Sequence, residues 1–126
     1  MLQKRCNMPW KDVFKKGQEL VLATCSPDAK PNANIVISLG FVDGKLLVAN
    51  SQMDTTLKNL QSTKRICVVA KTKDEYYRIK GSVEIFDSGK YYDICNEADK
   101  QYPTKHAILI SVEEVFDLDQ VKKIAF

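Results

Sequence analysis

The sequence holds one histidine, His106, and four cysteines, Cys6, Cys25, Cys67 and Cys95, with no Cys-x-x-Cys pair. A zinc site of Cys and His therefore has no usable spacing, and any Cys–His catalysis would have to run through His106. In a reducing compartment, cysteines so far apart are expected as small buried apolar residues rather than disulfides. The chain also lacks a Gly-rich phosphate loop, a dinucleotide fingerprint, a Gly-x-Ser-x-Gly elbow and a His-Glu-x-x-His pair. Its carboxylates, among them Asp54, Asp74, Glu75, Glu84, Glu113 and Glu114, are scattered, so no glycosidase-like acid pair stands out. Runs such as Leu20-Val21-Leu22-Ala23 fall far short of the roughly 20 apolar residues that span a bilayer. The first ten residues carry two basic side chains and no apolar stretch, so no secretion signal is expected and the expected address is cytoplasmic. A chain this poor in acids, bases and nucleophiles at telling spacings is expected to borrow its reactivity from a bound cofactor.

What is present is ordinary in bulk and informative in order. The 126 residues are 44% apolar and 28% charged with a net charge of +3, which suits a single globular domain over 1–126. Basic and acidic residues are interspersed. The one dense cluster is Lys4-Arg5 with Lys11, Lys15 and Lys16 behind it, too little to expect nucleic acid as the main partner.

Residues 9–17 predict a short helix, with proline in its first turn, Trp10, Val13 and Phe14 on one face, and Gly17 as its stop. Residues 19–25 predict a strand, closed by the turn-rich stretch 26–31. Residues 34–42 alternate: Ile35, Ile37, Leu39 and Phe41 are expected inside, whereas Asn34, Val36, Ser38 and Gly40 form a small, partly polar outer face. Asp43-Gly44 predicts a hairpin into a strand over 45–50. A helix over 54–62, capped by Asp54 or Ser51, leads to strands over 65–72 and 76–87, the second with Tyr77, Ile79, Val83 and Ile85 on one face. Ser88 is expected to cap an amphipathic helix carrying Tyr91, Ile94, Cys95, Ala98 and Tyr102, stopped by Pro103. Strands over 105–112 and 115–118 complete the chain. With about six mostly antiparallel strands and three short helices, the expected class is α+β, mainly β, in a small barrel.

The stretch Ala49-Asn50-Ser51-Gln52-Met53-Asp54-Thr55-Thr56-Leu57-Lys58 runs from a strand end through a polar turn into a helix start. The first amides of a helix are unpaired donors at its positive pole, which favours an anion such as phosphate. Thr55, Thr56 and Lys58 would add hydrogen bonds and charge there; an ordinary solvated helix start accounts for the same residues.

The ordered set of residues 31–39, the Asp43-Gly44 hairpin, residues 49–60, residues 65–69 and the long strand over 77–85 resembles the FMN-binding split barrels, the superfamily of pyridoxamine 5'-phosphate oxidase. The resemblance covers roughly residues 19–118. It implies a six-stranded, mostly antiparallel split barrel, a homodimer, and FMN in a groove at the interface. By this resemblance Asn34, Ile35, Val36, Ile37 and Ser38 line the flavin, Ala49, Asn50 and Ser51 lie beside it, and Thr55, Thr56 and Lys58 meet the phosphate. Thr55 and Thr56 stand where the oxidase has an arginine and a lysine, Asn34 replaces an arginine and Leu39 a lysine, so the phosphate site is poorer in cations. No Arg-x-His-type substrate motif follows, so the substrate is expected to differ from a pyridoxine phosphate. The implied function is an FMN-dependent oxidoreductase; the alternatives are a non-catalytic FMN carrier or electron-transfer protein, a flavin-free partner-binding barrel, and a barrel holding haem or a deazaflavin.

Overall fold

The computed structural model describes residues 9–126; Cys6 and the Lys4-Arg5 cluster lie outside them. A 3-10 helix, Pro9–Phe14, is followed by β1 (Glu19–Cys25), β2 (Pro31–Ile37), β3 (Phe41–Val42), β4 (Lys45–Asn50), α1 (Thr55–Thr63), β5 (Arg65–Lys71), β6 (Tyr76–Phe86), α2 (Lys90–Ala98), β7 (His106–Asp117) and β8 (Lys122–Ile124). The strands form one sheet in the order β2-β1-β5-β6-β7-β4-β3, with β8 pairing the far end of β7, and every pairing is antiparallel.

Two expectations are corrected here. The described residues hold eight strands rather than six, and the sheet is not closed into a barrel by hydrogen bonds. The stretch expected as one strand over 34–42 is broken: Ser38 is buried, Gly40 adopts φ +85°, and the chain leaves β1 to pair with β4 instead. Leu39 donates its N–H to the Leu47 carbonyl and Leu47 donates back to Gly40, both at 2.9 Å. The two ends of the sheet, β2 and β3, are thus consecutive in the chain. At the other extreme, the strand expected over 115–118 is the continuation of β7, which carries a bulge where Lys80 pairs with Glu114 but Gly81 pairs with Val112.

The core has two parts. Inside the curl of the sheet lie Trp10, Phe14, Leu20, Leu22, Leu46, Val48, Ile79, Ile108 and their neighbours. Beneath α2 a smaller cluster joins Leu47, Cys95, Ala107 and Leu109. β4 and β7 lie between the two, so apolar residues fill both their faces, giving the continuous run Leu46-Leu47-Val48. Trp10 anchors the 3-10 helix, edge-on to Phe14, Phe41 and Phe126 at 5.7–6.2 Å between ring centroids.

The sidedness of β2 is the reverse of the expectation. Ile35 and Ile37 are 69% and 50% exposed, whereas Val36 packs against the main core. Asn32 and Asn34 turn inward because α1 meets them with a polar side chain: Thr56 donates its hydroxyl to Asn34 Oδ1 and accepts from Asn32 Nδ2 at 2.9 Å. The break at Ser38–Gly40 then shifts the alternation, so Phe41 shares the core with Val36 and not with Ile35.

Helix ends differ too. Gly89, not Ser88, precedes α2, and neither Asp54 nor Gly89 makes a side-chain cap bond. α2 ends at Ala98, leaving Tyr102 in a turn in which Asp99 Oδ1 accepts the N–H groups of Gln101 at 2.9 Å and Tyr102 at 3.3 Å.

Candidate functional site

A groove of about 610 Å³ opens between β2, the end of β4, and the segment following α2. Its floor is apolar, formed by Ile35, Val36, Ile37, Leu39, Ala49 and Met53, and its polar rim carries Asn34, Ser51, Gln52, Asp99, Tyr102 and Thr104. Ser51 ties the walls together, donating its hydroxyl to the Tyr102 carbonyl at 3.4 Å. Such a volume and mixture of surfaces is typical of small-molecule sites.

Of the residues expected at a site, the groove brings together Asn34, Ile35, Val36, Ile37, Ala49 and Ser51. The others stand elsewhere. Ser38 is fully buried, donating to the Phe14 carbonyl and accepting from Gly40 N–H. Asn50 is also fully buried, its Oδ1 bonded to Met53 N–H at 2.7 Å, and its Nδ2 has no partner. Thr55 is exposed at the start of α1, and Thr56 is 1% exposed with its hydroxyl committed to Asn34. Lys58 pairs with Asp54 at 3.4 Å, both exposed. The first turn of α1 contains no acidic residue, but Asp54 at its N-cap sets a carboxylate beside the positive pole of the helix.

Leu39, Gln52, Met53, Cys95, Ala98, Asp99, Tyr102 and Thr104 complete the groove. Two of these bear on chemistry. Burial pushes the Cys95 thiol up to about 11, and its Sγ donates to the Val48 carbonyl at 3.8 Å, so this thiol stays protonated and is no nucleophile at neutral pH. Thr104 is 4% exposed, and its hydroxyl has no hydrogen-bond partner. Cys25, Cys67 and Cys95 are free thiols, and only Cys95 is buried as expected: Cys67 is half-buried and Cys25 exposed. Among the described residues no group of His, Cys, Asp and Glu is placed to hold a metal ion, and no helix is long and apolar enough to cross a membrane.

The fold has solved counterparts. HupZ of Group A Streptococcus superposes with a TM-score of 0.82 at 20% identity, over 99% of this chain and 100% of that one. An FMN-binding protein from Syntrophomonas wolfei gives 0.71 at 15% identity, over 90% and 82%. General Stress Protein 26 from Bacillus anthracis gives 0.71 at 17% identity, over 91% and 94%. At these identities the likeness establishes the fold alone. No curated protein matches the chain in sequence. The sequence pattern of the family described as pyridoxamine 5'-phosphate oxidase, however, matches residues 10–122, nearly the whole chain. The chain belongs to the pyridoxamine 5'-phosphate oxidase family of FMN-binding split barrels.

Proposed function

We propose that the protein is a cytoplasmic, homodimeric FMN-binding flavoprotein that acts as an oxidoreductase on a small molecule other than a pyridoxine phosphate. The observation that carries this is the exposed apolar floor of the groove, with Ile35 and Ile37 open to solvent beside Ala49 and within reach of the strand that leads to α1. An aliphatic floor with a polar rim suits a flat ring whose edge makes hydrogen bonds. Ile35, Ile37 and Leu39 would hold the ring by contact, with Asn34, Ser51 and Gln52 available to its polar edge. Thr55 and the amides opening α1 would meet the phosphate, while Thr56 acts from behind by holding Asn34. FMN supplies reversible hydride and electron transfer when bound.

Self-association has its own support. Ile35 stands opposite Val21, and Val21 opposite Val69, so an apolar row continues outward from the groove across β2, β1 and β5. Val21 is 38% exposed, and a second copy would cover this row.

A second reading, a barrel with weakly held or no flavin that binds a partner, is favoured by one observation: among the described residues, neither lysine nor arginine lines the groove. Visible absorption after loading with FMN and desalting separates the two. Flavin bands at about one per chain, with a dimer by light scattering, support the first reading. Complete release of FMN overturns it in favour of the second.

A further inference from the structure

We propose that the groove is completed across a two-fold axis by Arg78 of the partner subunit, which brings a cation to the end of the groove nearest α1. That this cation serves a flavin phosphate rests on the flavin reading; the pairing of the two chains rests on the outer face of the sheet.

The groove lacks what an anionic ligand needs, and the surface beside it holds such a group unused. Among the described residues neither lysine nor arginine lines the groove. From Ile35 at its edge, one row of side chains crosses the outer face of the sheet: Ile35, Val21, Val69, Arg78 and Phe116, each opposite the next. Residues directly opposite one another share a face. Arg78 is half-buried in this row, with Cζ 4.7 Å from the centre of the Phe116 ring and Nε buried without a partner. No carboxylate among the described residues forms an ion pair with it. A guanidinium held flat on an apolar face with its donors free is placed to take an acceptor from outside the chain.

Symmetry decides where that arginine goes. Two copies that stack this face on itself share a two-fold lying between the sheets, and each contact made by one copy is returned by the other. With the axis along the strands, between β1 and β5, Val21 meets Val69 of the partner subunit and Ile35 meets Arg78 of the partner subunit. Sheets stacked face to face lie about 10 Å apart, a gap that an isoleucine and an arginine fill between them. In the neighbouring row Ile37, Glu19, Lys71 and Tyr76 follow in the same strand order. The same axis sets Glu19 against Lys71 of the partner subunit and Ile37 against Tyr76 of the partner subunit. Glu19 and Lys71 are exposed and lack an ionic partner among the described residues. Ile37 and Tyr76 are exposed apolar side chains, at 50% and 37%. An axis across the strands would instead set Arg78 against its own copy, like charge on like charge. The arginine thus arrives over Ile35. Asn34, the next residue, bonds Thr56 in the first turn of α1, so the cation stands beside the helix start that carries Thr55.

The test uses full chains and mixed dimers. Arg78→Met should bind FMN about tenfold more weakly than the parent and riboflavin equally well, by flavin fluorescence, because only FMN carries the anion. Thr55→Glu spoils the groove's own side. A dimer holding one chain of each kind, isolated through two affinity tags, should regain one site of parental affinity, since the groove of the Arg78→Met chain then faces an intact arginine. Parental FMN affinity in Arg78→Met, an equal loss of riboflavin, or a mixed dimer without a parental site would overturn the proposal. The pairing is read without flavin in a Cys6→Ser, Cys25→Ser, Cys67→Ser background. A chain carrying Ile35→Cys should cross-link through a short bismaleimide to one carrying Arg78→Cys and not to itself; self-linking of Ile35→Cys, or no link at all, overturns the pairing. A parent that releases all its FMN yet cross-links as expected upholds the arginine in trans and removes the flavin reading; FMN retained by the parent with no regain in the mixed dimer does the opposite.

Discussion

Ser38 donates its hydroxyl to the carbonyl of Phe14 at 2.7 Å, joining the 3-10 helix to the break between β2 and β3. The same oxygen accepts the Gly40 N–H at 2.9 Å, and the residue is wholly buried. Ser38→Ala leaves a buried carbonyl and a buried N–H without partners and should cost about 1–3 kcal/mol in urea unfolding. Ile37, one residue away and half exposed, should behave oppositely. Ile37→Ser is expected to change unfolding in dilute solution by no more than about 0.5 kcal/mol, while weakening self-association seen by light scattering. An Ile37→Ser variant as unstable as Ser38→Ala would reverse the assignment of faces.

Gly81 is a glycine because β7 bulges against it. A Cβ at this position would overlap the Ser111 carbonyl, which is backbone and cannot swing aside. Gly81→Ala should cost on the order of 3 kcal/mol, read as a lowered unfolding midpoint, and a neutral outcome would mean that the bulge moves freely.

Thr56 and Thr55 are adjacent and should respond differently. Thr56→Val removes the hydroxyl that donates to Asn34 and should destabilise by about 1–2 kcal/mol. Thr55 is exposed, so Thr55→Glu should leave stability within about 0.5 kcal/mol. Thr55→Glu should nevertheless lose FMN on desalting, since it sets a negative charge at the amide end of α1. Undiminished FMN retention in Thr55→Glu would remove the phosphate from that helix end.

Thiol chemistry should follow burial. In a Cys6→Ser background, an alkylating reagent at pH 8 is expected to modify Cys25 first, Cys67 slowly and Cys95 only on unfolding, by mass spectrometry. Burial raises the Cys67 thiol as well, against the pull of Arg78 and Lys80. Cys95, at about 11 when folded and 9.0 in the open chain, holds its proton more tightly in the native state. Between those two values the unfolded state has fewer protons, so this thiol's contribution to stability is full below pH 9 and falls as pH rises towards 11. Cys95→Ala should flatten that part of the stability profile; an unchanged slope would assign it to other groups.

Most of the elements were legible in the sequence, because their signals are local. Asp43 and Gly44, both at positive φ, make the expected hairpin, and Tyr77, Ile79 and Val83 line the expected inner face of β6. The period of β2 was legible and its sidedness was not. Ile35 and Ile37 are its most apolar residues, and only the bonds from Asn32 and Asn34 to Thr56, more than 20 residues on, explain why they face outward. Half of the groove was legible for the same reason. The β2 and β4 side follows from consecutive residues, whereas Asp99, Tyr102 and Thr104 arrive from a distant segment through the packing of α2 on β4 and β7. One local signal was there to be used: Asp99, ahead of Gln101 and Tyr102, is an Asx-turn former that ends α2 a turn before Pro103. β8, three residues with two lysines, has no periodic signal at all.

Because β2 and β3 are consecutive, the curled sheet is a hoop with a single mechanical joint. The joint is the short piece from Ser38 to Gly40, held by the serine's bonds and by one exchange with Leu47. Ile37 and Leu39 flank Ser38 and both line the groove. Rotation at the joint would therefore change the width of the groove while leaving the β1–β2 and β4–β7 ladders intact. The width of the groove depends on how firmly Ser38 is pinned, and its four bonds, to Phe14, Gly40, Gly17 and Gln18, are what pin it.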